Sequence, residues 1–151
     1  MSLGFSDMTP EGRRYFRELQ KLAEIEIHVG YQADQSYEDG TGLAEVAAYN
    51  EFGTSNTPAR PFMRQSFENH ESKLQAACDM ANRTLSGGGT AELAISQIGT
   101  NAVGLIQDEM IDGGFAPNAE STIRRKGSEQ PLVDTGTLFQ SVKYVVKRRG
   151  S

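Results

Sequence analysis

The sequence predicts an α+β fold, a small antiparallel sheet with helices packed on one face, including a long two-helix hairpin. Most periodic segments of the 151-residue chain have apolar residues at helical spacing, and only two, at 25–31 and 138–147, alternate between apolar and polar residues. The run Ser86-Gly87-Gly88-Gly89 separates two long helical segments, which favours a hairpin. The length suits one domain, so we expect residues 1–151 to form a single domain, of which 1–8 are disordered or partly a remnant of expression.

The first half of the chain is predicted to contain two helices with a strand between them. The first helix covers 10–24 and has Thr9 as its N-cap, and the strand covers 25–31. The second, shorter helix covers 43–52 and ends at Gly53. The apolar stripe of the first helix consists of Phe16, Leu19 and Ala23. Its basic, solvent-exposed side consists of Arg13, Arg14, Arg17 and Lys21.

The second half is predicted to contain the hairpin and a closing strand. One long helix runs from 61 to 85, and Thr90 caps a second from 91 to 111. The stripe of the first of these helices consists of Phe62, Phe67, His70, Leu74, Ala77 and Ala81. The segment 113–136 contains prolines, glycines and few apolar residues, so we expect a functional loop there, or a short helix within it, before the closing strand.

Composition and charge exclude several classes of function. The net charge of −5 argues against a general nucleic-acid coat, which needs clustered positive charge. No stretch approaches the ~20 apolar residues of a membrane helix, and the single Cys78 excludes an internal disulfide or a multi-cysteine zinc site. The densest basic cluster is Lys143, Lys147, Arg148 and Arg149, which is either a solvated end or a contact with an acidic partner or DNA.

No catalytic or metal-binding constellation is predicted. Cys78 and His70 lie eight positions apart on one predicted helix, which separates them by about 12 Å along the axis and excludes a nucleophile–base pair. The two histidines belong to no metal motif, and we expect no cofactor. Asp134-Thr135-Gly136 has the letters of an aspartic-protease signature, but the protease dyad needs a second carboxylate from another lobe or subunit, and a turn capped by Asp134 explains the motif better.

Two features of the predicted fold point to assembly instead. A sheet of only two strands is marginal by itself, and its open edges invite pairing with another chain. The polar loops predicted at 32–41, 53–60 and 113–136 are natural interface arms. An oligomer would pair the open edges of the sheet and would use the polar loops as contacts between subunits.

Two segments then carry a specific motif. The first reads Leu43-Ala44-Glu45-Val46-Ala47-Ala48-Tyr49-Asn50-Glu51-Phe52-Gly53-Thr54 and continues as Pro58-Ala59-Arg60-Pro61-Phe62-Met63-Arg64. The second comprises Phe115-Ala116-Pro117-Asn118, Ser121-Thr122-Ile123-Arg124-Arg125-Lys126-Gly127-Ser128, Pro131-Leu132-Val133-Asp134-Thr135-Gly136-Thr137-Leu138 and Ser141-Val142-Lys143-Tyr144. Together they resemble the minor tail-component, or tail-completion, proteins of long-tailed bacteriophages and prophages. The match runs from Ile25 to Val146.

The resemblance implies a structural virion protein and not an enzyme. Members of this family act as rings of identical subunits at the phage neck, where the tail joins the head. The implied partners are further copies of the chain, the head-connector protein and the tail-tube protein, with no cofactor, no membrane and no specific nucleic-acid contact, although DNA would pass through the lumen of a ring. The implied location is the bacterial cytoplasm during assembly and the virion afterwards. The alternative is a prophage-encoded hydrolytic or regulatory enzyme with Asp134 as a site residue.

Several residues of the motif are interface candidates in such a ring. Pro58 and Pro61 stiffen the loop that holds Arg60, whose guanidinium suits a carboxylate either in its own subunit or in a neighbour, with Glu51 as a candidate partner. Phe62 is a further candidate, although Phe52 and Phe62 are better explained as core anchors. The remaining candidates are Arg124, Arg125, Lys126 and Asp134, in or beside a loop that we expect to order on docking, its basic run steering the encounter.

Overall fold

The computed structural model describes residue 4 and residues 7–113 and 137–150, and it confirms the α+β class. Helices pack against a small two-stranded antiparallel sheet. In chain order the elements are α1 (Pro10–Ala23), β1 (Ile25–Gly30), α2 (Leu43–Phe52), α3 (Phe62–Asn69), α4 (Glu71–Ser86), α5 (Ala91–Asp112), α6 (Thr137–Gln140) and β2 (Lys143–Arg148).

The sheet pairs the predicted strands, one from each end of the chain. Ile25 lies opposite Arg148, and Gly30 lies opposite Lys143. The inner face of the sheet rests on α5, where the ring of Tyr144 lies so close to Gly99 that a β-carbon there would be 2.6 Å from it. A glycine on α5 therefore lets the sheet approach the helix closely.

Helix α5 is the centre of the molecule, since it contributes to both hydrophobic clusters. The larger cluster joins α2, α3, α5 and the segment leading into β2, and consists of Leu43, Ala47, Phe62, Ile106, Met110, Leu138 and Val142. The smaller cluster consists of Ala81, Leu85 and Ala94. Helices α4 and α5 form the predicted hairpin, and Thr90 caps α5 as predicted by accepting a hydrogen bond from the amide of Leu93.

The predicted long helix from 61 to 85 is wrong in one respect, because the structure divides it at His70. The backbone there has φ −125° and ψ 28°, which is not helical. No proline or glycine lies between 62 and 86 to cause the break. It coincides instead with polar contacts to α5, which are described with the candidate site.

Helix α1 presents a different face to the core than its apolar spacing predicted. Phe16 and Leu19 are 37% and 40% exposed, and Tyr15 and Leu22 pack against the smaller cluster instead. Arg14 is not on a solvated side either: its guanidinium donates to the carbonyls of Leu85 and Gly89, at the C-terminal end of α4.

A charged residue of α1 also reaches the other side of the same turn. The carboxylate of Glu18 accepts a hydrogen bond of 3.0 Å from the amide of Ala91, the first residue of α5. Arg14 thus meets the negative end of one helix dipole and Glu18 the positive end of the next. Together these two side chains fasten α1 across the turn of the hairpin.

The short helix α6 was not predicted from the sequence, and it shows that the predicted start of the closing strand at 138 is wrong, because β2 begins at Lys143. Leu138 is buried, and the Tyr31 hydroxyl donates a 2.6 Å hydrogen bond to its carbonyl. Burial raises the pKa of the Tyr31 phenol.

The predictions for Arg124, Arg125, Lys126 and Asp134, and for the loop that carries them, lie outside the described residues.

Candidate interaction surface

The first motif forms α2, the loop after it and the start of α3. The loop closes on itself, since the amide of Thr54 donates to the carbonyl of Thr57 at 2.9 Å, and the amide of Arg60 donates to the carbonyl of Asn50. Gly53 has φ 76° and ψ 171°, a conformation almost restricted to glycine. A β-carbon at Gly53 would also lie 2.9 Å from the amide nitrogen of Ala59. The motif therefore encodes a loop of fixed shape.

Glu51 fastens this loop to the next helix. Its carboxylate accepts hydrogen bonds of 3.0 Å from the amides of both Met63 and Arg64. These amides belong to the first turn of α3, where N–H groups lack partners within the helix. Between the described residues no ion pair joins Glu51 to Arg60. The structure thus places the carboxylate of Glu51 at the N-terminus of α3.

Arg60 is a buried residue, with 7% of its surface exposed. Burial lowers the pKa of its guanidinium. Of the two alternatives that the sequence left open, this position fits the one in which Arg60 is held within its own subunit.

The two motif phenylalanines have opposite environments. Phe62 is fully buried and meets the ring of Tyr31 edge to face, with 6.4 Å between the ring centroids, so its assignment as a core anchor is confirmed. The same assignment is wrong for Phe52, which is 79% exposed. The reason is that the polar residues of α2, Glu45, Asn50 and Glu51, are spread around the helix, so its residue spacing does not show which face turns inward.

The outward side of α2 is an exposed and mostly apolar surface, which also carries the carboxylate of Glu45. Ala44, Ala48 and Phe52 follow one another at helical spacing, and all three are exposed. Tyr49 beside them is 49% exposed, with its hydroxyl donating to the carboxylate of Glu45. We call Ala44, Ala48, Tyr49 and Phe52 the α2 face.

A groove of about 390 Å³ runs along this face. The described residues that line it are Val29, Tyr31, Ala44, Ala47, Ala48, Glu51, Phe52 and Met63, and we call it the α2 groove. Glu51 is the one charged side chain among them, and the amides of α3 already occupy its carboxylate. The groove therefore offers apolar contact area.

A second polar arrangement lies inside the molecule, around Glu109 of α5. Glu109 is 4% exposed and accepts hydrogen bonds from Gln65 at 3.0 Å, from Asn69 at 3.2 Å and from His70 at 2.8 Å. These three donors lie just before and at the break between α3 and α4. Gln65 also donates to the carbonyl of Gly113 at 2.9 Å, which adds a further tie between α3 and the end of α5.

Glu109 is not among the residues that the sequence motifs singled out, although its spacing offered a signal. It follows Ala102, Leu105 and Ile106 on the inward stripe of α5, and a carboxylate at such a position needs buried donors. Both of its carboxylate oxygens accept hydrogen bonds from those donors, and His70 points to Glu109 and not to the exposed Cys78. The part of the chain that the structure describes holds no group of three or more potential metal-binding His, Cys, Asp or Glu residues.

Comparison with known protein families, with curated proteins and with solved structures gave no match. Among the described residues, no helix is long and apolar enough to cross a membrane.

Proposed function

We propose that this protein is a structural subunit of bacteriophage assembly, which forms a ring at the neck, or tail-completion position, and joins the tail to the head connector. Its partners are further copies of the chain, the head-connector protein and the tail-tube protein. The proposal starts from the resemblance carried by the two sequence motifs. It is supported by what the first of those motifs does in the structure.

The observation that carries the proposal is the exposure of Phe52, at 79%, on a segment whose shape is fixed. The motif residues around it have structural tasks: Gly53 makes the turn, Glu51 caps α3, and Phe62 anchors the segment in the core. Among the described residues, Phe52 belongs to neither hydrophobic cluster. A rigid segment loses little conformational entropy when it binds, so an aromatic side chain held in this way is suited to a protein contact.

The surroundings of Phe52 support the same conclusion. Single apolar side chains on a surface need no explanation, but the α2 face extends over two turns of a helix and continues into the α2 groove. Contiguous apolar surface of this kind is typical of interaction sites. A ring subunit must contact at least two neighbours, and the α2 face provides one such contact.

The proposal is tested by comparing Phe52→Ser with Leu93→Ser. Leu93 is a matched control, because it is 50% exposed but lies on α5 and does not line the α2 groove. We expect Phe52→Ser to reduce the assembled fraction, measured by size-exclusion chromatography with light scattering, while leaving the thermal midpoint close to that of the unmodified chain. Leu93→Ser should change neither. Equal assembly of the two variants and the unmodified chain would contradict the role of the α2 face.

A further inference from the structure

Among the residues that the structure describes, no strand pairs with the outer edges of the sheet. β1 pairs with β2 along one edge, and the other β-bridges of the described residues, Ser36 with Gly42 and Thr54 with Thr57, lie elsewhere. The outer edge of each strand therefore presents alternate N–H and C=O groups that no described strand receives. Such edges template pairing with another chain unless something blocks them.

The two open edges differ in charge. On the face of the sheet turned away from α5, β1 carries Glu26 and His28, which are 40% and 42% exposed and joined at 3.0 Å. Hydrogen bonds from His28 and from the amide of Gly150 lower the pKa of Glu26, so this carboxylate is ionised at neutral pH. On the same face β2 carries the exposed Lys143 and Lys147. One edge is thus acidic and the other basic.

These charges select among the ways in which two copies can pair. Joining two β2 edges would bring together Lys143 and Lys147 of both copies, and joining two β1 edges would leave the lysine-bearing outer edge of each copy unpaired. Like charges on neighbouring strands are destabilising. A β1 edge against a β2 edge sets Glu26 beside the lysines of the next copy, as Glu26 and Lys147 already are within one chain, and it uses both kinds of edge.

We infer that copies of this chain join edge to edge, with β1 of one copy pairing antiparallel with β2 of the next, so that one sheet continues from subunit to subunit. This inference rests on the proposed function and specifies the contact between ring subunits. Because the two edges are different surfaces, the contact is heterologous, and a heterologous contact closes into a ring when its rotation permits. A symmetric dimer would leave one kind of edge open.

The α2 groove lies next to this contact. Val29 near the end of β1 and Tyr31 just after it both line the groove, and Phe52 stands at its other side. A strand that pairs with the outer edge of β1 would therefore lie beside the α2 face. The main-chain hydrogen bonds would supply affinity, and the groove would receive an apolar side chain of the incoming copy.

The inference is tested by disulfide formation between two differently tagged chains. Both carry Cys78→Ser, because the native cysteine is exposed. One chain carries His28→Cys in β1 and the other Val145→Cys in β2. These positions face each other within a chain, so in separate chains they report only contacts between copies. Lys143→Cys and Lys147→Cys replace Val145→Cys in parallel mixtures, to cover shifts of register.

We expect at least one mixture to form a disulfide between the two differently tagged chains. Its yield should exceed that of disulfides between two copies of the same tagged chain. It should also exceed the yield from a control mixture in which Leu93→Cys replaces the β2 cysteine. If light scattering shows assembled chains but no mixed disulfide forms, the inference is overturned and the proposed function still stands. A dominant product between two copies of the His28→Cys chain would show symmetric pairing and also overturn it. A chain that never assembles would contradict the inference and the proposed function together.

Discussion

Gly53 shows how much a single residue contributes to the shape of the candidate surface. Its backbone lies at φ 76° and ψ 171°, and a β-carbon there would approach the amide nitrogen of Ala59 to 2.9 Å and the carbonyl oxygen of Thr57 to 3.1 Å. Both neighbouring atoms are backbone, so neither can move aside by a rotamer change. The turn that ends α2 therefore requires glycine.

The first prediction is that Gly53→Ala destabilises the protein by about 1–3 kcal/mol, the usual range for a residue held in a disfavoured backbone conformation. Gly104→Ala is the control, since a β-carbon there has no neighbour within 4 Å. In a helix interior that change should stabilise by up to about 1 kcal/mol. Urea unfolding of the two variants measures both. Equal stability of the two variants would show that the turn tolerates a side chain.

Phe52 and Phe62 show what the sequence can and cannot tell at the scale of a residue. Both are aromatic residues beside the same loop, and the sequence offered the same interpretation for each. The structure buries one completely and leaves the other 79% exposed. A helix whose apolar and polar residues are mixed around its circumference shows no inward face in its pattern, so only its tertiary contacts decide which side is buried. The motif thus located the candidate site, but not the residue that presents it.

The break between α3 and α4 is the clearest case at the scale of an element. Local propensity favours one continuous helix, and tertiary contacts override it. Gln65, Asn69 and His70 converge on one buried carboxylate of α5. Because these partners lie about 40 residues apart in sequence, no local pattern could have shown the break.

The second prediction concerns that carboxylate. Glu109→Ala removes the shared acceptor of three donors that are themselves only partly buried or exposed, and it should cost about 1–3 kcal/mol. Glu109→Gln keeps one acceptor oxygen and should cost less. Asp108→Ala, at the exposed neighbouring position, is the control and should change little. Chemical denaturation measures the free energy of unfolding of each variant. Equal values for Glu109→Ala and Asp108→Ala would show that the contacts of Glu109 do not hold the break between α3 and α4.

The third prediction concerns the attachment of α1 across the hairpin turn. The hydrogen bond from the Ala91 amide, followed by the hydrogen bond from Lys21, lowers the pKa of Glu18 below its ordinary value of 4.5. A lowered pKa in the folded state means that the ionised carboxylate adds stability at neutral pH. That stability is lost as the pH falls below 4.5 and through the folded-state pKa.

Glu18→Gln should therefore lower the thermal midpoint at neutral pH, and the difference from the unmodified chain should shrink at acid pH. Glu38→Gln is the control, because it removes the same charge from an exposed loop position and should show no such trend. Thermal melts followed by circular dichroism at a series of pH values measure both. A difference between Glu18→Gln and the unmodified chain that is constant across the series would speak against an electrostatic role for Glu18.

At the scale of the whole molecule, the sequence predicted the elements better than their relations. The strands, the hairpin and the caps Thr9, Gly53 and Thr90 follow from local rules, and the structure confirms them. The side of α1 that packs, and the burial of Glu109, depend on partners far away in the chain. The open edges of the sheet were expected, since only two strands were predicted. Their opposite charges became visible once the register placed Glu26 beside Lys147.

The central claim is that this chain works as an assembled ring, and the mass of the unmodified protein tests it most directly. Light scattering across a concentration series, alone and after addition of phage tails, gives that mass, and electron microscopy shows its shape. The account predicts a discrete, ring-shaped species whose mass is an integer multiple of 16.5 kDa. A mass of 16.5 kDa at every concentration, with and without tails, would contradict it.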